Sequence, residues 1–172
     1  MHICVTRFDN TTMQENKSWK QKHNEIGCIY GTPIKISDKI LPEDEIIVLE
    51  MNNSINKIEG IGIIKNELVI KDSNKKYRIY SDNNYNRYIY KSNLHINISN
   101  LSTNDKKIIE KLEYLLFKTS KHCKRGHGIQ IISNNIINNN KFNYIKFLIN
   151  LYERKFLKLD FNKIKIKIKI NY

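Results

Sequence analysis

The chain has 172 residues, of which 40% are hydrophobic and 27% are charged, with only 6 Gly and 2 Pro. This length predicts one domain with a core of its own, and the composition excludes collagen-like and Pro-rich disordered chains. The formal net charge of +13 favours a polyanionic partner such as RNA, DNA or an anionic membrane surface, with a solubilising surface that binds nothing as the alternative.

The N-terminal part predicts a strand followed by a polar helix. In the strand His2–Phe8, the side chains of Ile3, Val5 and Phe8 should point inward, and Asp9–Thr12 can cap a short helix. Trp19 is the only tryptophan. It either anchors the polar segment to the core or forms an aromatic pocket wall or stacking platform.

A buried hairpin is predicted over residues 40–64, after a strand with a turn near Gly31–Pro33. An acidic turn leads into a β-branched run, an Asn-rich turn follows, and a second apolar run carries two glycines. Gly60 and Gly62 fall on one face of that strand, where another backbone or a flat ligand can come close.

Aromatic and cationic residues alternate between Tyr77 and Lys91. Short strands are predicted at Leu68–Ile70 and Tyr77–Tyr80, joined by Lys71–Lys75, and a one-sided strand at Leu94–Ile98. Aromatic rings beside cations suit stacking on bases and contact with phosphates, whereas a Tyr-rich strand pair with half its rings in the core is the alternative. The candidates here are Tyr85, Arg87, Tyr88, Tyr90 and Lys91.

The densest basic loop follows the best predicted helix. Ser102–Asp105 resembles a capping box, and an i, i+3, i+4, i+7 pattern continues to about Phe117. In the loop, two glycines flank His127 and permit conformations that expose amides to an anion. A phosphate site is therefore predicted, with a solvated charge run at the helix end as the alternative; its residues are Lys121, Lys124, Arg125, Gly126, His127 and Gly128.

The cysteines and the C-terminal part of the chain from Gln130 offer fewer candidate functional residues. Cys4 and Cys28 are expected to be buried thiols, and His122, Cys123 and His127 do not fit a tetrahedral zinc site, so no metal or cofactor is predicted. The pattern predicts a strand at Gln130–Ile137, a helix at Phe142–Lys155 and an alternating strand at Lys163–Ile170. We predict a single domain over 1–172, in which 138–172 is a helix–strand extension.

The stretches Leu41–Val48 and Ile58–Gly62 resemble the PUA-like superfamily, which includes the PUA, ASCH, EVE and YTH domains. The resemblance covers residues 1–132 and implies an α+β fold, a small, mostly antiparallel PUA-like β-barrel flanked by two or three helices, that binds RNA or a modified base. YTH and EVE domains hold a flipped base in an aromatic pocket. Trp19 and the tyrosines would supply walls and Asn52 or Asn53 an edge contact, although the second and third tryptophans of a YTH cage are missing.

Tyr88–Lys91 and Lys124–Ile129 are similar to segments of uncharacterised proteins of large DNA viruses, a likeness that brings no activity with it. No run is apolar enough for a signal peptide or a membrane span, so we expect no membrane partner and an intracellular, cytoplasmic location, in the host cytoplasm or viral factory if the chain is viral.

Three functions are consistent with these observations. The first is a non-enzymatic nucleic-acid-binding module that prefers RNA to DNA. The second is a ribonuclease-like enzyme on the same scaffold, with His127 or His95 as acid/base, Lys124 as electrophile, and Glu45 or Glu59 as partner. The third is a structural virion or genome-associated protein. The sequence does not fix the oligomeric state.

Overall fold

The computed structural model describes residues 1–69, 77–139 and 142–157. The protein is a mixed α+β structure that folds as two compact units, Met1–Ile136 and Ile137–Tyr172. The strands of the first unit are β1 (His2–Phe8), β2 (Cys28–Thr32), β3 (Glu45–Asn52), β4 (Lys57–Lys65), β5 (Tyr88–Ser92), β6 (Leu94–Asn97) and β7 (Gln130–Ile131).

Five of these strands form the main sheet, in the order β6-β4-β3-β1-β7. β1 and β3 run parallel, whereas the remaining pairs of this sheet are antiparallel. β2 and β5 make a separate antiparallel pair. Both sheets are open within residues 1–69 and 77–139, so the α+β class is confirmed and the predicted closed barrel is not.

Two capped helices accompany the sheets, α1 (Asn10–Lys22) and α2 (Thr103–Lys118). Asp9 caps α1 by accepting a hydrogen bond from the Thr12 amide at 2.8 Å, and Ser102 caps α2 by accepting one from the Asp105 amide at 3.2 Å. Each cap satisfies an amide that has no partner inside its helix. Both predicted helix starts are confirmed.

The core continues through both faces of β1. Cys4 and Thr6 are buried as well as Ile3 and Val5, and Cys4 packs in one cluster with Cys28 and Tyr30 of β2. The prediction of a single inward face was therefore incomplete. Burial raises the pKa of the thiols of Cys4 and Cys28 to about 12, which confirms two inert buried cysteines.

The predicted hairpin is confirmed as β3 and β4, paired from Glu45↔Lys65 to Asn52↔Lys57 with a register shift between Glu50 and Met51. Its two glycines share a face, as expected, but side chains of this same chain fill the space they leave. A Cβ on Gly62 would lie 2.0 Å from Tyr30 Oη, and one on Gly60 would lie 2.2 Å from Glu50 Oε2.

Three predicted strands are wrong, wholly or in part, in the described residues. The strand over Gln130–Ile137 ends at Ile131, and Asn134–Ile137 forms the short helix α3, because Ser and Asn favour turns and helix starts over strands. Residues 68–69 and 77–80 are irregular, although the Val69 amide donates to the Ile89 carbonyl at 2.9 Å. Ile70 and the loop Lys71–Lys75 lie outside the described residues.

The second unit contains the short antiparallel strands β8 (Asn138–Asn139) and β9 (Phe142–Asn143) and the helix α4 (Tyr144–Tyr152). A π-helical turn, Glu153–Leu157, follows α4. The predicted helix is thus confirmed, whereas the predicted strand Lys163–Ile170 lies outside the described residues. Among the helices described, none has the length and apolar character needed to cross a bilayer.

Candidate nucleic-acid interface

The basic loop is attached to the neighbouring ends of β1 and β3 by two side chains. Arg7, near the end of β1, donates from Nε to the Cys123 carbonyl. Asn53, directly after β3, donates from Nδ2 to the Lys124 carbonyl at 2.9 Å, and its backbone amide donates to Phe8 O at 2.7 Å. Because the two strands run parallel, the side chains reach successive carbonyls of one loop.

The other polar ends of these two side chains have no partner. Arg7 Nη1 and Asn53 Oδ1 are buried, and neither makes a hydrogen bond within the described part of the chain. A buried polar group without a partner costs about 1–3 kcal/mol, and more where the group is charged. Buried donors and acceptors without a partner are typical of positions that a ligand or an ordered water completes.

Both side chains line a cavity of about 470 Å³. Tyr80 and Tyr85 contribute aromatic rings to its wall, with centroids 6.1 Å apart and planes at 71°. Tyr80 is held by Asn16, whose Nδ2 donates to its hydroxyl at 3.0 Å. On the opposite side, His127 Nδ1 lies 3.5 Å from the Tyr85 hydroxyl. The cavity therefore has a fixed aromatic wall beneath the basic loop.

The charges around this cavity have both signs. Three carboxylates line it, Asp9, Glu15 and Asp82, and each accepts a hydrogen bond from a backbone amide. Amide bonds to Asp9 lower the pKa of its carboxyl. Burial lowers the pKa of the Arg7 guanidinium, since desolvation disfavours its charge. One backbone hydrogen bond leaves a carboxylate with further acceptor positions, so the cavity wall presents three acids as well as the unused N–H of the charged arginine.

Six residues predicted from the sequence meet at this cavity: Asn53, Tyr85, Lys124, Gly126, His127 and Gly128. The two glycines have φ of +114° and +69°, the left-handed backbone expected of this loop. A side chain at Gly126 would be strained, because L residues rarely adopt this backbone conformation. The sequence therefore indicated the loop and its geometry correctly.

Three other predicted pocket residues have structural roles. Tyr90 is buried, and its hydroxyl accepts from the Ile36 amide at 3.0 Å, so its predicted stacking role is wrong. Asn52 is buried too and donates to Asn10 and Glu59, which rules out the edge contact assigned to it. Trp19 stacks on His23 with ring centroids 4.2 Å apart and packs against the core. Of its two interpretations, the structure favours the anchor.

The remaining predicted residues lie outside the cavity wall. Tyr88 is half-buried, with Lys35 Nζ 5.7 Å from its ring centroid. Lys91 forms a 2.7 Å ion pair with Glu25, which reduces its availability to a phosphate. Lys121, Arg125 and Arg87 are exposed, so their cationic groups are accessible to a nucleic-acid backbone.

Arg7 is the main residue that the sequence analysis missed. A charged residue between Thr6 and Phe8 in a largely buried strand is unusual. That contrast was the available signal. Its meaning depends on the loop at residues 119–128, which is distant in sequence and cannot be placed by a local pattern.

A second group of polar side chains lies beneath Gly60. The buried Glu50 carboxylate accepts from the Tyr30 hydroxyl at 2.8 Å, and its Oε1 lies 3.1 Å from His95 Nε2. Burial alone would raise the pKa of Glu50, but His95, the Tyr30 hydroxyl and the charge of Lys20 hold that pKa below its ordinary value. Glu50 and His95 line a cavity of about 590 Å³.

Glu50 is thus the carboxylate beside His95, rather than the predicted Glu45 or Glu59. Glu45 is exposed, and Glu59 pairs with Lys17 and Asn52. Burial raises the pKa of the Cys123 thiol, although the nearby Arg7 charge opposes this effect, so a Cys123 thiolate nucleophile is disfavoured. In the described ranges, no three His, Cys, Asp or Glu side chains are grouped for a metal ion.

Neither a protein-family model, nor a curated protein, nor a solved structure matches this chain. The resemblance to the PUA-like superfamily and to viral proteins therefore stays a prediction. The features that bear on function are the cavity lined by Arg7 and Asn53, hereafter the Arg7–Asn53 cavity, and the basic loop to which both side chains are bonded.

Proposed function

We propose that the protein is a non-enzymatic nucleic-acid-binding module for single strands, preferring RNA to DNA. The strand's phosphates contact the basic loop, and one unstacked base enters the Arg7–Asn53 cavity. The observation that carries this proposal is that Arg7 and Asn53, each with a buried polar atom that lacks a partner, line a cavity with tyrosine rings on its wall.

Phosphate contact is supported by the position and exposure of the loop cations. Lys121 and Arg125 are exposed, and Lys124 borders the cavity while its Nζ donates to Asn56 Oδ1 at 2.8 Å. Cations at a cavity mouth attract the backbone of a strand whose base enters the cavity. Single strands are favoured because their bases can leave the stack at a lower energetic cost than those of a duplex.

The experiment is fluorescence anisotropy with labelled single-stranded RNA, single-stranded DNA and duplex DNA at 50 and 200 mM salt, two conditions spanning about a fourfold change. We expect RNA to bind tightest, and the affinity to fall steeply with salt. In the double variant Lys124→Ala, Arg125→Ala, the salt slope should decrease by about 1.4, which is about 0.7 for each lost contact to a single strand.

The matched control is Lys107→Ala, Lys111→Ala, which removes two exposed positive charges from α2. It changes the net charge equally, so its slope should stay close to that of the wild type. Equal losses in the two double variants would mean that the loop is not the binding site. Binding that does not change over the salt range would refute phosphate contact altogether.

A second candidate function is supported by the Glu50–His95 pair. His95 Nε2 is buried, lies 3.1 Å from Glu50 Oε1 and makes no hydrogen bond within the described residues, and a carboxylate this close to a histidine at a cavity is an arrangement used in acid–base chemistry. If the protein cleaves RNA there, a labelled oligonucleotide will be cut by the wild type and by His127→Gln but not by His95→Gln. Absence of cleavage by the wild-type protein would exclude this ribonuclease-like function.

We also propose the PUA-like fold and the intracellular location that the sequence predicts. A PUA-like fold is supported by the mostly antiparallel sheets, the glycine-bearing hairpin and the capped helices, and an intracellular location by the free, inert Cys4 and Cys28. A genome-associated structural protein would bind all probes equally, and the anisotropy series distinguishes that role from the proposed one.

A further inference from the structure

We infer that the Arg7–Asn53 cavity selects the lactam edge of a nucleobase, the carbonyl next to a ring N–H that uracil and guanine share. This inference rests on the proposed function and adds the class of base. Two features support it. The bonds of Arg7 and Asn53 to the loop fix which of their remaining atoms can donate or accept, and both side chains line the cavity.

The role of each unused atom is fixed by the bond that its side chain already makes. Asn53 must present Nδ2 to the Lys124 carbonyl, because only the NH₂ end of the amide can donate to a carbonyl. Its remaining end is therefore an acceptor, Oδ1. Arg7 has donors only, and Nε is occupied by the Cys123 carbonyl. The site thus offers one cationic donor, Nη1, and one neutral acceptor.

A base that satisfies both atoms needs an acceptor next to a donor. Uracil presents a carbonyl beside N3–H, and guanine presents O6 beside N1–H. Adenine and cytosine also present an acceptor next to a donor, but their acceptor is a ring nitrogen and their donor an exocyclic amino group. A guanidinium binds carbonyl oxygens such as guanine O6 strongly, and asparagine is the usual partner of adenine through both ends of its amide. Because one end of the Asn53 amide is already bonded to the loop, this asparagine cannot make that two-ended contact to adenine. The lactam edge is therefore favoured over the adenine edge.

The size and wall of the cavity are consistent with one base. Its volume of about 470 Å³ lies within the range of small-molecule sites. Tyr85 is half-buried at the wall, where a flat ring can lie against its face. Stacking of this kind tolerates every base, so the preference between bases has to come from Arg7 and Asn53.

The first test changes the ligand and leaves the protein intact. Six labelled RNA pentamers are abasic at four positions and carry uracil, guanine, adenine, cytosine, N3-methyluracil or no base at the centre. Affinities are measured by anisotropy at one salt concentration. We expect the uracil and guanine pentamers to bind about 5- to 150-fold tighter than the other four, the range of a well-formed pair of base contacts.

The outcomes separate this inference from the function on which it rests. Equal, salt-dependent binding of all six pentamers would overturn edge recognition and leave phosphate binding by the loop intact. Tighter binding of adenine or cytosine would overturn the lactam preference. Uridine monophosphate binding as tightly as the uracil pentamer would support edge recognition but overturn strand binding. No binding of these or longer strands at low salt would overturn both.

The second test changes the protein. Arg7→Lys keeps the positive charge but loses the second guanidinium donor, so the uracil-to-adenine ratio should fall towards one while salt-dependent binding persists. Arg78→Lys is the matched control, since Arg78 is exposed and outside the cavity; its ratio should match that of the wild type. An unchanged ratio in a folded Arg7→Lys variant would overturn the inference.

Discussion

Replacement of Gly62 by alanine should strongly destabilise the fold. A Cβ at this position would lie 2.0 Å from Tyr30 Oη and 2.7 Å from Cys28 Sγ. Both neighbours are buried, and the tyrosine hydroxyl is bonded to Glu50, so neither can move without losing packing or a hydrogen bond. The expected loss of stability is steric and not conformational, because the backbone of Gly62 is not in the left-handed region that favours glycine.

The expected cost has two parts. Overpacking of a core costs about 1–3 kcal/mol, and displacement of the Tyr30 hydroxyl from a charged carboxylate adds about 1.5–3 kcal/mol. The free energy of unfolding should therefore fall by roughly 2.5–6 kcal/mol, a large share of the total for a domain of this size. The corresponding fall in Tm is about 2–4 °C per kcal/mol.

A double-mutant cycle tests the steric reason. Tyr30→Phe removes the hydroxyl that the new methyl group would meet, so its combination with Gly62→Ala should cost at least about 1 kcal/mol less than the sum of the single variants. Gly126→Ala is the control, because its Cβ would meet only Gln130 atoms among its nearest neighbours, and Tyr30→Phe removes none of them. Urea unfolding measures all variants. Additivity of Gly62→Ala and Tyr30→Phe within about 0.5 kcal/mol would refute the reasoning.

Three further predictions concern buried polar groups and helix ends, each measured by urea unfolding. The lowered pKa of Glu50 means that its charge stabilises the fold above about pH 4.3; the advantage of wild type over Glu50→Gln should shrink as the pH falls below that value, and a constant difference would contradict it. Asn86→Ala should cost about 3 kcal/mol or more, because Asn86 pairs the buried amides of Ile79 and Tyr80 and the carbonyl of Tyr80. Ser102→Ala should cost about 1 kcal/mol and Ser102→Asp much less, and equal losses would show that the cap is not responsible.

Local patterns predicted the elements whose physics is local. The caps at Asp9 and Ser102 depend on residues within three positions, and the hairpin depends on alternating apolar residues on either side of a short turn. The predicted strand Gln130–Ile137 was wrong beyond Ile131 because the prediction relied on the apolar residues alone. The turn preference of Ser133 and Asn134 decided the conformation. The predicted barrel is not confirmed, because closure of a sheet depends on pairings between strands that are distant in sequence.

The candidate site was predicted in part. The glycines and cations of the loop are contiguous, so composition identified them, and Tyr85 and Asn53 were among the candidates. Arg7 and the Glu50–His95 pair were missed because their partners are distant in sequence, by 116 residues for Arg7 and Cys123. Tyr90 was misjudged because a strand pattern cannot tell which face of a two-layer structure is covered.

The position of β1 also has a consequence for the order in which the chain folds. β1 pairs with β3 in parallel and with β7 through Val5↔Gln130, so both neighbours are synthesised well after it. Until then, this apolar strand exposes two unsatisfied edges, which slows folding and invites pairing with other chains.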